Sequence, residues 1–299
     1  MGMAISGNSN VITRKYLDSL LIETRYMNSF VSDQSIELYG THFDSPVMTA
    51  ALSHLDHFMF DGATAIYASA AAKTGTLLWL GMADDQEVER CAATGAKMIE
   101  IIKPYADREL IYRKIRHAES LGLLAVGIDI DHPFADDGSL DVVDGYEMAP
   151  LATEELRDFC RCTSLPLIVK GVLSSYDANE AVSAGAGGLV LSHHNNRIEY
   201  ALPPLAALPE IRAKLEKPVP LFVDGEIQTG LDVFKALAMG ATAVCIGRPL
   251  MTAIKQSRED GMVEYLLKVR SQLAKAMSYT GCTSLEKMDP SVIHTALWL

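Results

Sequence analysis

Eight short apolar runs, separated by helix-compatible segments, are the feature that most restricts how this 299-residue chain can fold. The runs are rich in Val, Ile and Leu: PVMTAA (46–51), TLLWLG (76–81), KMIEII (97–102), LLAVGID (123–129), PLIVKG (166–171), GGLVLS (187–192), LFVDG (221–225) and AVCIGR (243–248). Continuous apolarity, rather than alternation, indicates strands that are covered on both faces, as in a parallel sheet. Eight strand–helix units predict an α/β fold, a single (β/α)8 TIM barrel, with an open doubly wound sheet as the alternative.

The ends of the chain lie outside this repeat. We predict that residues 1–44 form a short N-terminal extension that packs on the barrel, with a helix around Lys15–Leu21. The barrel itself is predicted to span residues 45–299. The segment DGMVEYLLKVRSQLAKAMSYTG (260–281) has the length and composition of one long closing helix.

Composition and charge exclude several classes of function. The chain is 49% hydrophobic and 21% charged, which is typical of a globular protein with ample core material. Its formal net charge of −12 argues against a nucleic-acid partner, because binding a phosphate backbone requires a basic face. The five cysteines have no regular spacing, and neither a signal peptide nor a membrane-spanning run is visible. We therefore expect a cytoplasmic protein with free thiols and no membrane partner.

Polar and ionisable residues follow five of the predicted strands, at the edge where barrel enzymes carry their active sites. The segments are Asp129–Asp131, Lys170–Gly171, Ser192–Arg197, Asp224–Gly225 and Gly247–Arg248. A lysine at a strand end is often only a solvated charge, and an Asp-Gly pair is often an ordinary turn. Their joint placement at one edge indicates a functional site. The sharpest case is LSHHNNRIEYA (191–201), which puts two histidines and an arginine directly after a buried strand.

The loops after the seventh and eighth strands have the features of a phosphate site. Glycines at 225 and 247 let the backbone approach a ligand, and the guanidinium of Arg248 can bind phosphate oxygens through paired hydrogen bonds. In many barrels these two loops bind phosphate. The pattern predicts a phosphorylated ligand, either a flavin nucleotide such as FMN or a sugar phosphate.

These motifs together resemble the FMN-dependent α-hydroxy acid oxidases and dehydrogenases, the family of glycolate oxidase and lactate oxidase. PLIVKGVLSSYDANEAVSAGAGGLVLSHHNNR is similar to the family's strand-lysine-glycine stretch and its S-N-H-G-G-R segment. LFVDGEIQTGLDVFKALAMGATAVCIGRPL is similar to its D-G-G-V-R-R-G block, and AMSYTGCTSLEKM is similar to its closing segment. The resemblance extends over about residues 45–288 and is dense from Leu165 onward.

The resemblance implies a role for each matching residue. His194 matches the catalytic base, Arg197 the arginine that holds the substrate carboxylate, and Asp131 the aspartate that orients the base. The residues that match cofactor-binding positions are Ala50, Ala51, Lys170, Ser192, Asp224, Gly225, Gln228, Gly247 and Arg248. Among these, Lys170 would lie beside flavin N1. The resemblance thus implies FMN as cofactor, a small 2-hydroxy acid as substrate, and a homo-oligomer, often a tetramer.

The implied roles agree with elementary chemistry. Removing a proton from a hydroxy acid requires a base with a pKa near the working pH, which histidine provides. A neighbouring carboxylate fixes its tautomer and stabilises the imidazolium that forms. A bidentate arginine orients a carboxylate, and a lysine beside flavin N1 stabilises the anionic reduced ring. We therefore predict FMN-dependent oxidation of a 2-hydroxy acid to the 2-oxo acid, with oxygen or another molecule as electron acceptor.

The chain departs from the family at several positions. Asn195 and Asn196 replace two glycines, and asparagine tolerates a positive φ better than most residues. His193 has no family role and is interpreted as a packed or solvated ring. Gln228 replaces the first arginine of an R-R pair, so that phosphate contact lacks its charge. The family's substrate tyrosine has no counterpart in EIIKPY (100–105), where Glu100 or Lys103 would be nearby.

These departures leave two alternatives to the oxidation of a hydroxy acid. The first is a flavin-dependent isomerase similar to type 2 isopentenyl diphosphate isomerase, which shares the barrel and the cofactor. The second is a flavin-binding relative whose catalysis is altered. Retention of both His194 and Arg197 favours the hydroxy acid reaction over the isomerase.

Overall fold

Eight parallel strands form the centre of the molecule in the computed structural model, which describes residues 7–296. The first six residues of the predicted extension and the last three of the predicted barrel segment lie outside this range. In chain order the strands are β1 (Val47–Thr49), β2 (Leu78–Leu80), β3 (Met98–Ile102), β4 (Ala125–Asp129), β5 (Leu167–Val172), β6 (Gly188–Leu191), β7 (Leu221–Val223) and β8 (Ala243–Ile246). Seven of them lie within the predicted apolar runs, and β5 extends one residue beyond its run, to Val172.

The sheet closes on itself as a (β/α)8 TIM barrel. From β2 to β8 each strand pairs in parallel with the next, and β8 pairs with β1 through the register Cys245–Met48. The remaining gap, between β1 and β2, is bridged where the amide of Gly81 donates to the carbonyl of Leu52 at 2.9 Å. A parallel bridge between Leu52 and Leu80 continues the contact. The open doubly wound sheet is therefore wrong for this chain.

Helices surround the barrel and separate its strands. In chain order they are α1 (Ser9–Ser19), α2 (Leu55–Phe58), α3 (Ala63–Lys73), α4 (Asp85–Ala92), α5 (Arg108–Ser120), α6 (Thr153–Arg161), α7 (Ser175–Ala184), α8 (Pro204–Lys214), α9 (Gly230–Ala238) and α10 (Arg248–Thr280). Their capping follows the sequence: the Asp84, Ser174 and Thr229 side chains accept hydrogen bonds from the first turns of their helices. None of the helices within residues 7–296 is long and apolar enough to cross a bilayer.

Both terminal helices differ in extent from their predictions. The first helix starts earlier than predicted, because Asn8 caps it by accepting from the amides of Asn10 and Val11. It also ends earlier, since Leu20–Ile22 form a short strand paired antiparallel with Ile293–Thr295. The last helix begins at Arg248, well before residue 260, and is kinked at Ser257 and Arg258.

Two apolar cores hold the barrel. One lies between strands and helices, and the other fills the barrel interior with side chains that alternate along the strands. Trp79 and Phe222 stack edge to face at 5.0 Å between ring centroids inside the barrel. A hairpin of Ile36–Leu38 and Thr41–Phe43 contributes Leu38 and Phe43 to the interior core. The interior is therefore packed, and the ligand space lies at the carboxyl ends of the strands.

Candidate active site

The loop after β6 adopts a backbone conformation that glycine usually supplies. His194, Asn195 and Asn196 have φ values of 47°, 55° and 69°, three left-handed residues in a row. The expectation that asparagine would preserve the positive φ of the family's glycines is confirmed at both positions. The turn is closed by the amide of Arg197, which donates to the carbonyl of His193 at 3.0 Å.

Helix α1 packs on this loop and fixes its side chains. Nδ2 of the Asn10 side chain donates to Oδ1 of Asn195 at 3.0 Å, and the hydroxyl of Thr13 lies 2.9 Å from Nε2 of His193. His193 is 3% exposed, and burial lowers its pKa, so its ring is neutral and packed. The second histidine of the loop, His194, remains free to act toward a ligand.

His194 and Asp131 form a hydrogen-bonded pair between the loops after β6 and β4. Nδ1 of His194 lies 2.8 Å from Oδ1 of Asp131, which assigns the ring proton to Nδ1 and leaves Nε2 as the basic nitrogen. Gly171 makes room for this pair: it has a φ of 96°, and a Cβ there would lie 2.3 Å from Cγ of Asp131. The glycine near the end of β5 is thus required by the position of Asp131.

A second carboxylate, Asp129 at the end of β4, lies beneath this pair between two lysines. Its oxygens accept from Nζ of Lys103 at 2.6 Å and from Nζ of Lys170 at 3.0 Å, and all three side chains are buried. Burial alone would raise the pKa of Asp129, but the two ammonium groups overcome it and hold the pKa well below its ordinary value. Asp129, Asp131 and His194 have the donor types of a metal site, yet the two ammonium groups already bind Asp129.

Lys103 is the residue beside His194 that sequence analysis was least able to place in the site. Its Nζ lies 3.5 Å from Nε2 of His194, the nitrogen that is free to take a proton. Its sequence position predicts only that it lies near the site of the family's substrate tyrosine, which this chain lacks. The alternation of β3 offers a signal, because Ile99 and Ile101 point into the barrel interior and Lys103 continues that series.

The guanidinium of Arg197 is bound by a carboxylate of the same chain, that of Asp141. Its Nη2 donates to Oδ2 of Asp141 at 2.5 Å and also to the carbonyl of Phe134, both in the segment after β4. His132 lies 3.4 Å from the same Asp141 oxygen, but burial and the nearby charge of Lys103 lower its pKa to about 4. His132 is thus neutral at pH 7, so Arg197 alone balances the charge of Asp141.

A cavity of about 750 Å³ opens beside His194 at the carboxyl ends of the strands. All nine residues predicted to bind the cofactor line it: Ala50, Ala51, Lys170, Ser192, Asp224, Gly225, Gln228, Gly247 and Arg248. Arg197 and Asp131 do not line it; Asp131 lies behind His194, and Arg197 lies toward Asp141. The structure therefore brings the predicted cofactor residues together and places the predicted base at their edge.

The cavity fits a flavin nucleotide at the ring end and carries an unexpected carboxylate at the other. The ammonium of Lys170, bound by Asp129, faces the cavity at one wall, and Gly247 keeps the opposite wall close to Ala50. At the predicted phosphate end, Arg248 is in contact with the carboxylate of Glu226. A cofactor phosphate would have to share or displace that contact.

Comparisons with known proteins show the family to which the chain belongs. A family model described as FMN-dependent dehydrogenase matches residues 2–153 and 137–295. Glycolate oxidase 1 of Oryza sativa subsp. indica is 30% identical over 301 residues, which cover 88% of this chain and 81% of that protein. The glycolate oxidase of Spinacia oleracea is 29% identical and covers 87% and 80%. A solved structure of a mandelate oxidase variant with (S)-mandelic acid has a TM-score of 0.87 at 28% identity, covering 100% of this chain and 92% of that one.

Proposed function

The chain belongs to the FMN-dependent dehydrogenase family as an FMN-dependent hydroxy acid oxidoreductase, and we propose that it oxidises a small 2-hydroxy acid with His194 as the base. The observation that carries the proposal is the pair of His194 and Asp131, hydrogen-bonded at 2.8 Å beside a cavity lined by every predicted cofactor residue. The glycolate and mandelate oxidases that resemble this chain support the same substrate class.

The cofactor would lie in the 750 Å³ cavity, with its ring toward Lys170 and its ribityl phosphate toward Arg248. When bound, FMN supplies the acceptor for the two electrons that leave the substrate carbon. The ammonium of Lys170 favours negative charge in that part of the cavity, because its own pKa is raised by Asp129 and Asp131 against the effect of burial. It therefore stays charged throughout the working pH range.

His194 takes the substrate proton at Nε2. The proton on Nδ1 is donated to Asp131, whose pKa is held below its ordinary value by His194 and Lys170 despite its burial. A charged carboxylate there stabilises the imidazolium that forms. Gly171 keeps that carboxylate within reach, so the base, its partner and the glycine act as one unit.

Lys103 and Asp129 set the charge of the site. The two aspartates and two lysines around neutral His194 sum to zero, and uptake of the substrate proton makes the cluster positive by one unit. An anionic substrate balances that charge, which favours a carboxylate-bearing alcohol over a neutral one. Lys103, 3.5 Å from Nε2, is placed to donate a hydrogen bond to the hydroxyl oxygen as its proton leaves.

We propose that Arg197 binds the substrate carboxylate after the substrate displaces Asp141 from its guanidinium. In the structure its guanidinium is bound by Asp141, a carboxylate that the substrate can replace in kind. Since Arg197 follows His194 by three positions in one loop, a substrate bound to both would be oriented at two points. The segment after β4 would then shift when a hydroxy acid enters.

The test is an anaerobic screen of flavin reduction with glycolate, lactate and mandelate. We expect at least one of them to bleach the flavin and yield the 2-oxo acid, and we expect His194→Ala to slow bleaching by about 10² to 10⁴-fold with flavin still bound. His42→Ala is the matched control, because His42 is exposed and lies on the hairpin at the other end of the barrel. Admitting air afterwards identifies oxygen as acceptor if the colour returns.

Two results would contradict the proposal. Unchanged bleaching by the His194 variant would show that another group is the base. The second result has two parts: no 2-hydroxy acid bleaches the flavin, and an isomerase substrate rearranges without net oxidation. It would favour the isomerase hypothesis.

A further inference from the structure

The carboxylate of Glu226 occupies the place that an anion would take at the predicted phosphate end of the cavity. One oxygen accepts from Nη2 of Arg248, and the other accepts from Nε2 of Gln228 at 3.1 Å. The side chain is 10% exposed, and all three residues line the cavity. The two groups that match phosphate contacts are thus both bound to the same side chain.

The backbone holds Glu226 in this position. Its φ of 56° lies in the left-handed region, where glycine is favoured, so the loop after β7 carries a charged side chain in a glycine-like conformation. Its carbonyl accepts from Nη1 of Arg14 at 2.9 Å, and Arg14 is itself bound to Asp232 at 2.9 Å. The residue is therefore fixed from both its backbone and its carboxylate.

The pairing leaves the phosphate end without free positive charge. Among the described residues that line the cavity, Lys170 and Arg248 carry permanent positive charge, and each has a carboxylate partner: Asp129 for the lysine and Glu226 for the arginine. A phosphate dianion entering beside Glu226 meets a like charge at contact distance. The ring and ribityl parts of a flavin would lie toward Lys170 and would be unaffected by this charge.

We propose that Glu226 competes with the 5′-phosphate of the cofactor for Arg248 and thereby sets the flavin specificity of this chain. FMN and its dephosphorylated form, riboflavin, then bind with similar affinity, because the phosphate gains the arginine only by displacing the glutamate. The proposal requires only that the cavity binds a flavin, so it is independent of which hydroxy acid is oxidised.

A competition experiment on the full chain tests this directly. The protein is equilibrated with equal concentrations of FMN and riboflavin, both in excess, and the bound flavins are released by heat and quantified by chromatography. For the unmodified chain we expect a bound ratio within about threefold of unity. Glu226→Gln should shift the ratio toward FMN by about tenfold or more, since it keeps the shape but removes the competing charge. Glu210→Gln, which removes an equal charge from an exposed position on helix α8, should leave the ratio unchanged.

Two outcomes would overturn the proposal: an unmodified chain that already favours FMN by about a hundredfold, or a Gln variant whose ratio equals that of the unmodified chain. If Glu226→Gln bound neither flavin, Glu226→Gly would decide, because glycine accepts the positive φ and removes the carboxylate altogether. Retained reduction by hydroxy acids with an unchanged ratio would refute the role of Glu226 alone. A shifted ratio without reduction would refute only the proposed reaction.

Discussion

Replacing Asp129 by asparagine removes one charge from the most buried ionic group of the site. The carboxylate accepts from Lys103 at 2.6 Å and from Lys170 at 3.0 Å, and its side chain is 3% exposed. Asparagine keeps the shape and one acceptor oxygen, so the barrel packing is preserved. What is lost is the counter-charge of two ammonium groups that stay buried.

The expected cost follows from that imbalance. Removing one partner of a buried ion pair lowers the free energy of unfolding by about 3–5 kcal/mol, because an uncompensated charge stays buried. Lys170 keeps Asp131 as a nearby negative charge, whereas Lys103 loses the carboxylate that binds it. Adding Lys103→Met to Asp129→Asn should therefore restore about 1–3 kcal/mol, since it removes the ammonium left without a partner.

Urea unfolding of the four proteins of this cycle measures both quantities. Because the folded-state pKa of Asp129 is lowered, its stabilisation is present above the unfolded value near 3.9 and is lost as the pH falls toward the folded value. The difference between the unmodified chain and Asp129→Asn should thus be constant from about pH 6 to 8 and shrink below about pH 4. A loss below about 1 kcal/mol at pH 7, or a double variant as unstable as the sum of the single ones, would refute the ionic account.

Two further predictions concern the proton acceptor and the substrate carboxylate. Gly171→Ala should leave flavin bound but slow its reduction by about 10²-fold or more in anaerobic stopped flow, because the new Cβ displaces Asp131 from His194. Reduction at the unmodified rate would show that the glycine does not position the pair. Asp141→Asn should lower the apparent substrate Kd about tenfold with little change in the limiting reduction rate, since Arg197 then needs no exchange. A weaker or unchanged Kd would mean that Asp141 orients Arg197 rather than competing for it.

Much of the architecture could be read from the apolar runs, because each barrel strand is buried on both faces and leaves a continuous signal. The cavity lining was also predictable, since residues such as Lys170, Asp224 and Arg248 lie near the carboxyl ends of strands, and parallel strands place these ends on one rim. The hairpin Ile36–Leu38 and Thr41–Phe43 was missed, because its strands are too short for a clear alternation.

The charge pairing of the site could be predicted only in part. Asp129 ends β4 and Lys103 directly follows β3, so the two-residue period of each strand directs both side chains toward the barrel axis, although their contact needed coordinates. Glu226 and Asp141 lie on loops, where no period relates sequence to direction. Their contacts with Arg248 and Arg197 depend on backbone paths set by distant residues, so sequence spacing carried no sign of them.

The contact between α1 and the histidine loop means that the N-terminal extension, although it lies outside the barrel in the chain, helps to shape the active site of the barrel. Asn10 and Thr13 contact the residues on either side of His194 from 185 and 180 positions away. Natural variation in helix α1 can therefore change the position of His194 without altering any strand of the barrel. It also follows that the histidine loop reaches its final form only after it has met α1, so the chain must be synthesised past Arg197 before the active site exists.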